Sequence, residues 1–144
     1  MKPQLTNVKI VETTWKQSES CLRAVRTPVF IDEQLVTPEF EWDDIDATAV
    51  HLLATQNSEP IACLRIIDYY KIGRMAVLRK WRNKGIGAEL LKVAVNICQT
   101  HGSKKVLLSA QTQAIGFYIK AGFVVTSDVY QDVHIAHVDM QRDL

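Results

Sequence analysis

Four cations, Arg79, Lys80, Arg82 and Lys84, crowd into six positions, and Gly85-Ile86-Gly87 follows at once. A strand reads up to Leu78 and an amphipathic helix opens after the glycines, so the cations occupy a strand-to-helix turn. Glycines let a phosphate rest on bare backbone N–H groups. The helix N-terminus adds about half a positive charge aimed at the same place. Arg and Lys side chains can clamp further oxygens. Together these residues suit a pyrophosphate. A P-loop would need Gly-Lys followed by Ser or Thr, which is absent. A dinucleotide fingerprint needs a small residue where Leu90 stands and an acid about 20 residues on, and no Asp or Glu occurs from Leu90 to Ser127. Coenzyme A, with a pyrophosphate and a ribose phosphate, fits better. A lone Gly-x-Gly would only shape a helix start; the strand and the cation run argue for a ligand.

The residues able to move protons lie elsewhere. Tyr118 sits on a second helical stretch. By spacing alone it is a core aromatic on an amphipathic helix. Candidate bases by type are Glu33, Glu41, Asp43, Asp44 and His51. His134 and His137 flank Ile135 in a strand-like alternation and read first as ordinary surface or satisfied histidines. Trp15, Trp42 and Trp81 read as packing residues, with Trp42 a candidate pocket wall. Cys21, Cys63 and Cys98 are odd in number and widely spaced. They fit small core residues in a reducing compartment, not a disulfide framework or zinc site, and no metal is expected.

The elements that must position these groups follow from periodicity. Val8–Thr13 reads as a strand, and Trp15 to about Val29 as an amphipathic helix closed by Pro28. Residues 30–47 read as an acidic loop with a short helix. Ala49–Thr55 and Pro60–Asp68 read as a hairpin around Gln56–Glu59. Tyr70–Leu78 is a further strand. The helix Gly85–His101 carries Ile86, Leu90, Val93, Ala94, Ile97 and Cys98 on one face and stops at Gly102. Val106–Ser109 is a buried strand, Gln111–Ala121 a helix capped by Gly122, and Phe123–Ser127 with His134–Met140 a final antiparallel pair. The order β-α-β-β-β-α-β-α-β-β is an α/β arrangement around a mixed sheet. With 144 residues, no repeat and no linker, it makes one domain over residues 1–144.

Charge is segregated although the net is only +1. Thr27–Leu64 holds eight acids and no Lys or Arg, whereas Tyr69–Ser127 holds ten cations and one acid, Glu89. The separation suggests one half facing an anionic ligand and the other a cationic one. It is too balanced for a general nucleic-acid binder. The N-terminus lacks a signal-peptide run and no segment is apolar enough to span a bilayer, so a cytoplasmic location without membrane association is expected.

Arg82-Asn83-Lys84-Gly85-Ile86-Gly87 resembles the (Gln/Arg)-x-x-Gly-x-(Gly/Ala) motif of the GNAT superfamily of N-acetyltransferases. Ala114-Ile-Gly-Phe-Tyr118-Ile-Lys-Ala-Gly122-Phe123 resembles its A-x-x-F-Y-x-x-x-G-F signature. The pair spans roughly residues 60–125 in the expected order. Val29-Phe30-Ile-Asp-Glu33-Gln34, Asp46-Ala-Thr-Ala-Val-His51 and Ser109-Ala110-Gln111 are similar to patterns in a branch of small bacterial GNAT proteins of the YjcF/ElaA type. The resemblance implies a single-domain, mostly antiparallel twisted sheet flanked by helices, with a central strand pair splayed apart. It implies acetyl-CoA as cosubstrate, held by Met75, Ala76, Val77, Arg82, Asn83, Lys84, Gly85, Ile86, Gly87, Gln111 and Tyr118. Gln111 stands where many members carry Asn. Tyr118 would be the acid, and Phe30, Glu33, Glu41 and Asp44 would lie on the side of a small amine acceptor, expected to be cationic from the acidic loop. A non-catalytic acyl-CoA-binding regulatory module shares the cofactor residues and differs at Tyr118 and the acceptor loop. A homodimer is compatible with the sequence.

Overall fold

The computed structural model describes residues 7–144. β1 (Val8–Thr13) leads into α1 (Trp15–Arg26), whose first turn is capped by the Thr14 hydroxyl accepting from the Gln17 N–H. Pro28 has no N–H for the α ladder and its ring crowds the carbonyl four residues back. The helix does not end there, as its sequence suggests. It widens into a π segment over Thr27–Glu33, closed by the Gln34 N–H on the Val29 carbonyl. The acidic stretch then forms α2 (Pro38–Glu41) and a 3₁₀ turn over Asp44–Ala47.

β2 (Val50–Gln56) and β3 (Glu59–Ile67) form the expected hairpin, through left-handed Asn57 and Ser58. β4 (Lys71–Val77) leads through a 3₁₀ turn at Arg79–Trp81 to α3 (Ile86–Thr100). β5 (Lys105–Gln111) runs two residues further than its apolar core suggests. The next helix starts as a 3₁₀ turn at Thr112–Ala114, so α4 proper is only Ile115–Lys120. β6 is reduced to Val124–Val125. β7 (Tyr130–Asp132), too short and polar to read from the sequence, forms a hairpin with β8 (Ile135–Asp143).

The sheet order is β1-β2-β3-β4-β5-β8-β6, with β7 also on β8. All pairings are antiparallel except β4–β5. One face buries Leu52, Leu64, Ile66, Ile72, Leu108, Val138 and Met140 against Leu90, Leu91 and Ala94 of α3 and Tyr118 of α4. The other face, at the β2–β4 half, buries Leu53, Cys63 and Ala76 under Leu22, Val25 and Val29. Strand alternation places Leu107, Ser109 and Gln111 of β5, and His137, Asp139 and Gln141 of β8, on that same second face. Ser109 and Asp139 are exposed there, so α1 roofs only one half of the face. The uncovered half borders the β4–β5 junction.

Candidate active site

β4 and β5 touch only at their starts, Lys71 opposite Leu107 and Ile72 opposite Leu108. Beyond Ile72 the two strands have no ladder between them. A bulge in β4 accompanies the divergence: Arg74 and Met75 together oppose Leu64, and Arg74 is left-handed with φ 45°. The Leu78 N–H donates to the Ile61 carbonyl on the β3 side. Alternation therefore turns the amide groups of Met75 and Val77 toward the gap. The splay expected of the central pair is present, with Met75 and Val77 on one side and Ser109 and Gln111 on the other.

The gap leads to the turn before α3. Asn83 is left-handed at φ 62° and Gly85 at φ 83°, which exposes successive N–H groups at the helix start. A side chain built at Gly85 would meet nothing within 4 Å, so the space in front of the turn is open. Gly87 is confined instead: a Cβ there would lie 3.5 Å from the Phe117 ring. Ile86 is in the core, 3% exposed, leaving only its backbone toward the turn. Arg82 donates from Nε to the Val77 carbonyl at 2.8 Å and holds Glu33 bidentately at 3.0 and 2.7 Å. Arg79 adds a contact of 3.5 Å to the same carboxylate. The Arg82 guanidinium keeps the Glu33 carboxyl below its ordinary pKa. Glu33 is thus clamped to the phosphate-turn cations rather than free to take a proton.

The acidic loop is not a solvated patch. Arg26, 1% exposed, donates to Glu41 at 2.7 Å and to Asp46 at 2.8 Å. Arg65 bridges Asp43 at 2.8 Å and Asp46 at 3.1 Å. Arg74, at the bulge, donates to the Phe40 and Glu41 carbonyls and contacts Asp43. Burial works against ionised Asp46, yet Arg26 and Arg65 hold its pKa below the ordinary value. Glu41, which the family resemblance implies lies on the acceptor side, is 2% exposed and paired within this network, so it does not face solvent. Among the acids of this loop, Asp32, Glu33, Glu39 and Asp44 are exposed. The compensating cations were hidden from a segment-wise charge count because Arg26 and Arg65 flank Thr27–Leu64 immediately and Arg74 arrives through the fold. Trp42 packs on Trp15 and under the Arg23 guanidinium at 4.3 Å, a packing role.

His51, another base candidate, is 1% exposed with Nε2 on the Asp46 carbonyl at 2.9 Å, and burial lowers its pKa. Phe30 packs on the α1 side of the sheet. Tyr118 is 9% exposed, edge-on to Phe117 and Phe123, and desolvation pushes its phenol up to about 12. It is protonated at any working pH. Gln111 donates to the Gln34 side chain at 2.7 Å, tying the gap's β5 wall to the end of the π segment. Beside it, Tyr130 donates to Asp139 at 2.6 Å and contacts the Ser109 hydroxyl, and His137 lies against the Tyr130 ring.

A family model, the acetyltransferase (GNAT) domain, matches residues 18–144. The chain belongs to the GNAT acetyltransferase family. It is 33% identical over 123 residues to the uncharacterized N-acetyltransferase YjcF of Bacillus subtilis, covering 83% of this chain and 88% of that protein. It is 30% identical over 131 residues to protein ElaA of Escherichia coli, covering 85% and 86%. The crystal structure of E. coli ElaA superposes with a TM-score of 0.84 at 28% identity, over 94% of this chain and 99% of that one. An acyl-CoA N-acyltransferase from Pseudomonas aeruginosa superposes at 0.83 with 27% identity, over 94% and 99%.

This GNAT domain therefore brings together the gap-lining residues Met75, Val77 and Gln111, and the turn Arg82–Gly87. It leaves Phe30 in the packing under α1, Glu41 in the core and Asp44 at the surface. Sequence reasoning missed the Arg26, Arg65 and Arg74 network, the Gln34–Gln111 bond and the Tyr130 cluster. The first had a usable signal in its flanking arginines. Tyr130 had none, because β7 is three residues long. Among the described residues no helix is long and apolar enough to cross a membrane, and no group of three or more His, Cys, Asp or Glu could hold a metal ion.

Proposed function

We propose that this chain is an N-acetyltransferase that passes the acetyl group of acetyl-CoA directly to a small acceptor amine. The observation that carries the reading is the divergence of β4 from β5 beyond Ile72 and Leu108, ending on the left-handed turn that opens α3. An unpaired strand edge offers N–H and C=O groups to an extended, amide-bearing ligand. The pantetheine arm would lie in the gap along Met75, Ala76 and Val77, with its pyrophosphate on the N–H groups of Arg82–Gly87. A GNAT fold is fitted for acyl transfer, and the P. aeruginosa neighbour is named an acyl-CoA N-acyltransferase.

In the reaction the amine nitrogen attacks the thioester carbonyl, whose oxygen is polarised by the Val77 N–H. The carbon–sulfur bond breaks and the Tyr118 hydroxyl protonates the leaving thiolate. Burial raises the Tyr118 phenol to about 12, so it keeps its proton until a thiolate would form beside it. Gln111, held by Gln34, would orient the cofactor. Glu33 would help to set Arg82, and Phe30 and Asp44 would border the acceptor side. With Glu41, Asp43 and Asp46 neutralised internally, the loop no longer argues for a cationic acceptor, and the amine is set by the uncovered face of β5 and β8. Free Cys21, Cys63 and Cys98 suit a reducing, cytoplasmic setting.

Release of free CoA thiol from acetyl-CoA across an amine panel tests the reading. Amine-dependent release supports transfer. Tight acetyl-CoA binding with no release by any amine would favour a regulatory acyl-CoA-binding module instead.

A further inference from the structure

An amine that arrives protonated must lose a proton before it attacks, and of the groups expected to take it only Asp44, exposed at the surface, is neither buried nor held by an arginine among the described residues. Glu33 is held by Arg82 and Arg79, and Asp43 by Arg65 and Arg74. Glu41 and Asp46 are buried against Arg26, and His51, 1% exposed, is enclosed beside the Trp15 ring on the half of the face that α1 covers. One basic nitrogen on the acceptor face is not spent in this way. His137 sits on β8 directly opposite Gln111 of β5, one strand from the gap. Its side chain lies on the same face as Ser109, Gln111 and Asp139, 9% exposed with the Tyr130 ring beside it. Its Nδ1 lies 2.7 Å from the Ile135 carbonyl. A carbonyl can only accept, so Nδ1 carries the hydrogen, and in the neutral ring the lone pair is on Nε2. The Tyr130 ring, itself anchored to Asp139 and Ser109, lies at 22° to the imidazole and fixes its plane.

We propose, resting on the acyl-transfer reading above, that His137 Nε2 is the general base that deprotonates the acceptor amine. Facing pairs on adjacent strands lie about 5 Å apart, so His137 stands one strand behind Gln111 at the gap's edge, a separation that one water bridges to an amine over the gap. The ammonium gives one proton to Nε2. The freed lone pair forms the nitrogen–carbon bond, and the carbon–sulfur bond breaks with its electron pair going to sulfur. Sulfur takes the Tyr118 proton. The second proton of the attacking nitrogen restores the Tyr118 hydroxyl through solvent, and the imidazolium releases its proton to solvent. The titratable groups around the ring are Tyr130 and Asp132 on β7, Asp139 on β8 and His134 at the hairpin turn. β5 contributes uncharged Gln111.

The test compares two acceptor probes with acetyl-CoA at neutral pH. n-Butylamine is almost wholly protonated and needs a base; hydroxylamine is already neutral and does not. His137→Asn keeps a donor for the Ile135 carbonyl but has no basic nitrogen. It should lower turnover with n-butylamine by about 10²- to 10⁴-fold and leave hydroxylamine turnover within about threefold. Its thermal midpoint and its acetyl-CoA affinity by calorimetry should match the parent. Equal losses with both probes, no loss with either, or the same split produced by Asp139→Asn instead would overturn the assignment. A parent protein that binds no acetyl-CoA refutes the underlying reading; one that binds it in both forms without the split refutes only the base.

Discussion

Gly85 offers a substitution pair that isolates charge from shape. Its φ of 83° is left-handed, and a Cβ there meets nothing within 4 Å. Asn and Asp are nearly the same size, and both visit this conformation more readily than other residues. Each should cost stability about 1 kcal/mol, lowering the melting midpoint by about 3 °C for a domain of this size. They differ by one negative charge at the place where a phosphate would rest. At a separation of about 5 Å, a unit charge repels a phosphate charge by about 0.8 kcal/mol in bulk water and about 3.3 kcal/mol at an effective dielectric constant of about 20. Gly85→Asp should therefore bind acetyl-CoA about 4- to 270-fold more weakly than Gly85→Asn. The ratio should shrink as salt shortens the screening length from about 10 Å at 0.1 M to about 3 Å at 1 M. Calorimetry on both variants at low and high salt reads it directly. Equal dissociation constants for the two, with both folded, would remove the pyrophosphate from this turn.

Three further outcomes follow from the same geometry. Tyr118→Phe keeps the edge contacts to Phe117 and Phe123 and removes one hydroxyl, so kcat should fall about 10²- to 10⁴-fold with acetyl-CoA affinity unchanged; parental turnover would make Tyr118 a packing residue. Arg26→Met leaves Glu41 and Asp46 buried beside each other without their shared cation, and urea unfolding should show a loss of about 3–5 kcal/mol; a loss below about 1 kcal/mol would mean that the loop repacks freely. Burial lowers the His51 pKa, so its stabilising contribution is full above the ordinary histidine value of about 6.5 and is lost as pH falls from there toward the folded value, because the unfolded chain takes the proton first. Unfolding free energy should therefore fall by up to about 1.4 kcal/mol per pH unit on that limb, and His51→Gln should flatten it; an unchanged slope would contradict the buried neutral ring.

Much of the frame was legible because it rests on local rules. The α3 helix carries its apolar residues at helical spacing and ends at a left-handed Gly102, and the β2–β3 turn has the polar residues that a two-residue hairpin needs. The glycine turn and its strand were equally local. What escaped was non-local. The acids of residues 41–46 read as a patch for a cationic acceptor because their partners Arg26, Arg65 and Arg74 come from α1, β3 and β4, which only the fold assembles. The π segment escaped because Pro28 ordinarily ends a helix, and here the chain widens around it. β7 escaped because three residues carry no period, and with it went the tyrosine that orients His137.

The proposed chemistry requires the thioester arm to occupy the gap between β4 and β5. Amide hydrogen exchange at Met75 and Val77, followed by NMR with and without acetyl-CoA, addresses that placement residue by residue. Both N–H groups face the gap and lack a strand partner on that side, so saturation with acetyl-CoA should slow their exchange while Ala76, already turned toward β3, changes little. Acetyl-CoA bound at full occupancy with the Met75 and Val77 exchange rates unaltered would put the ligand elsewhere and contradict the account.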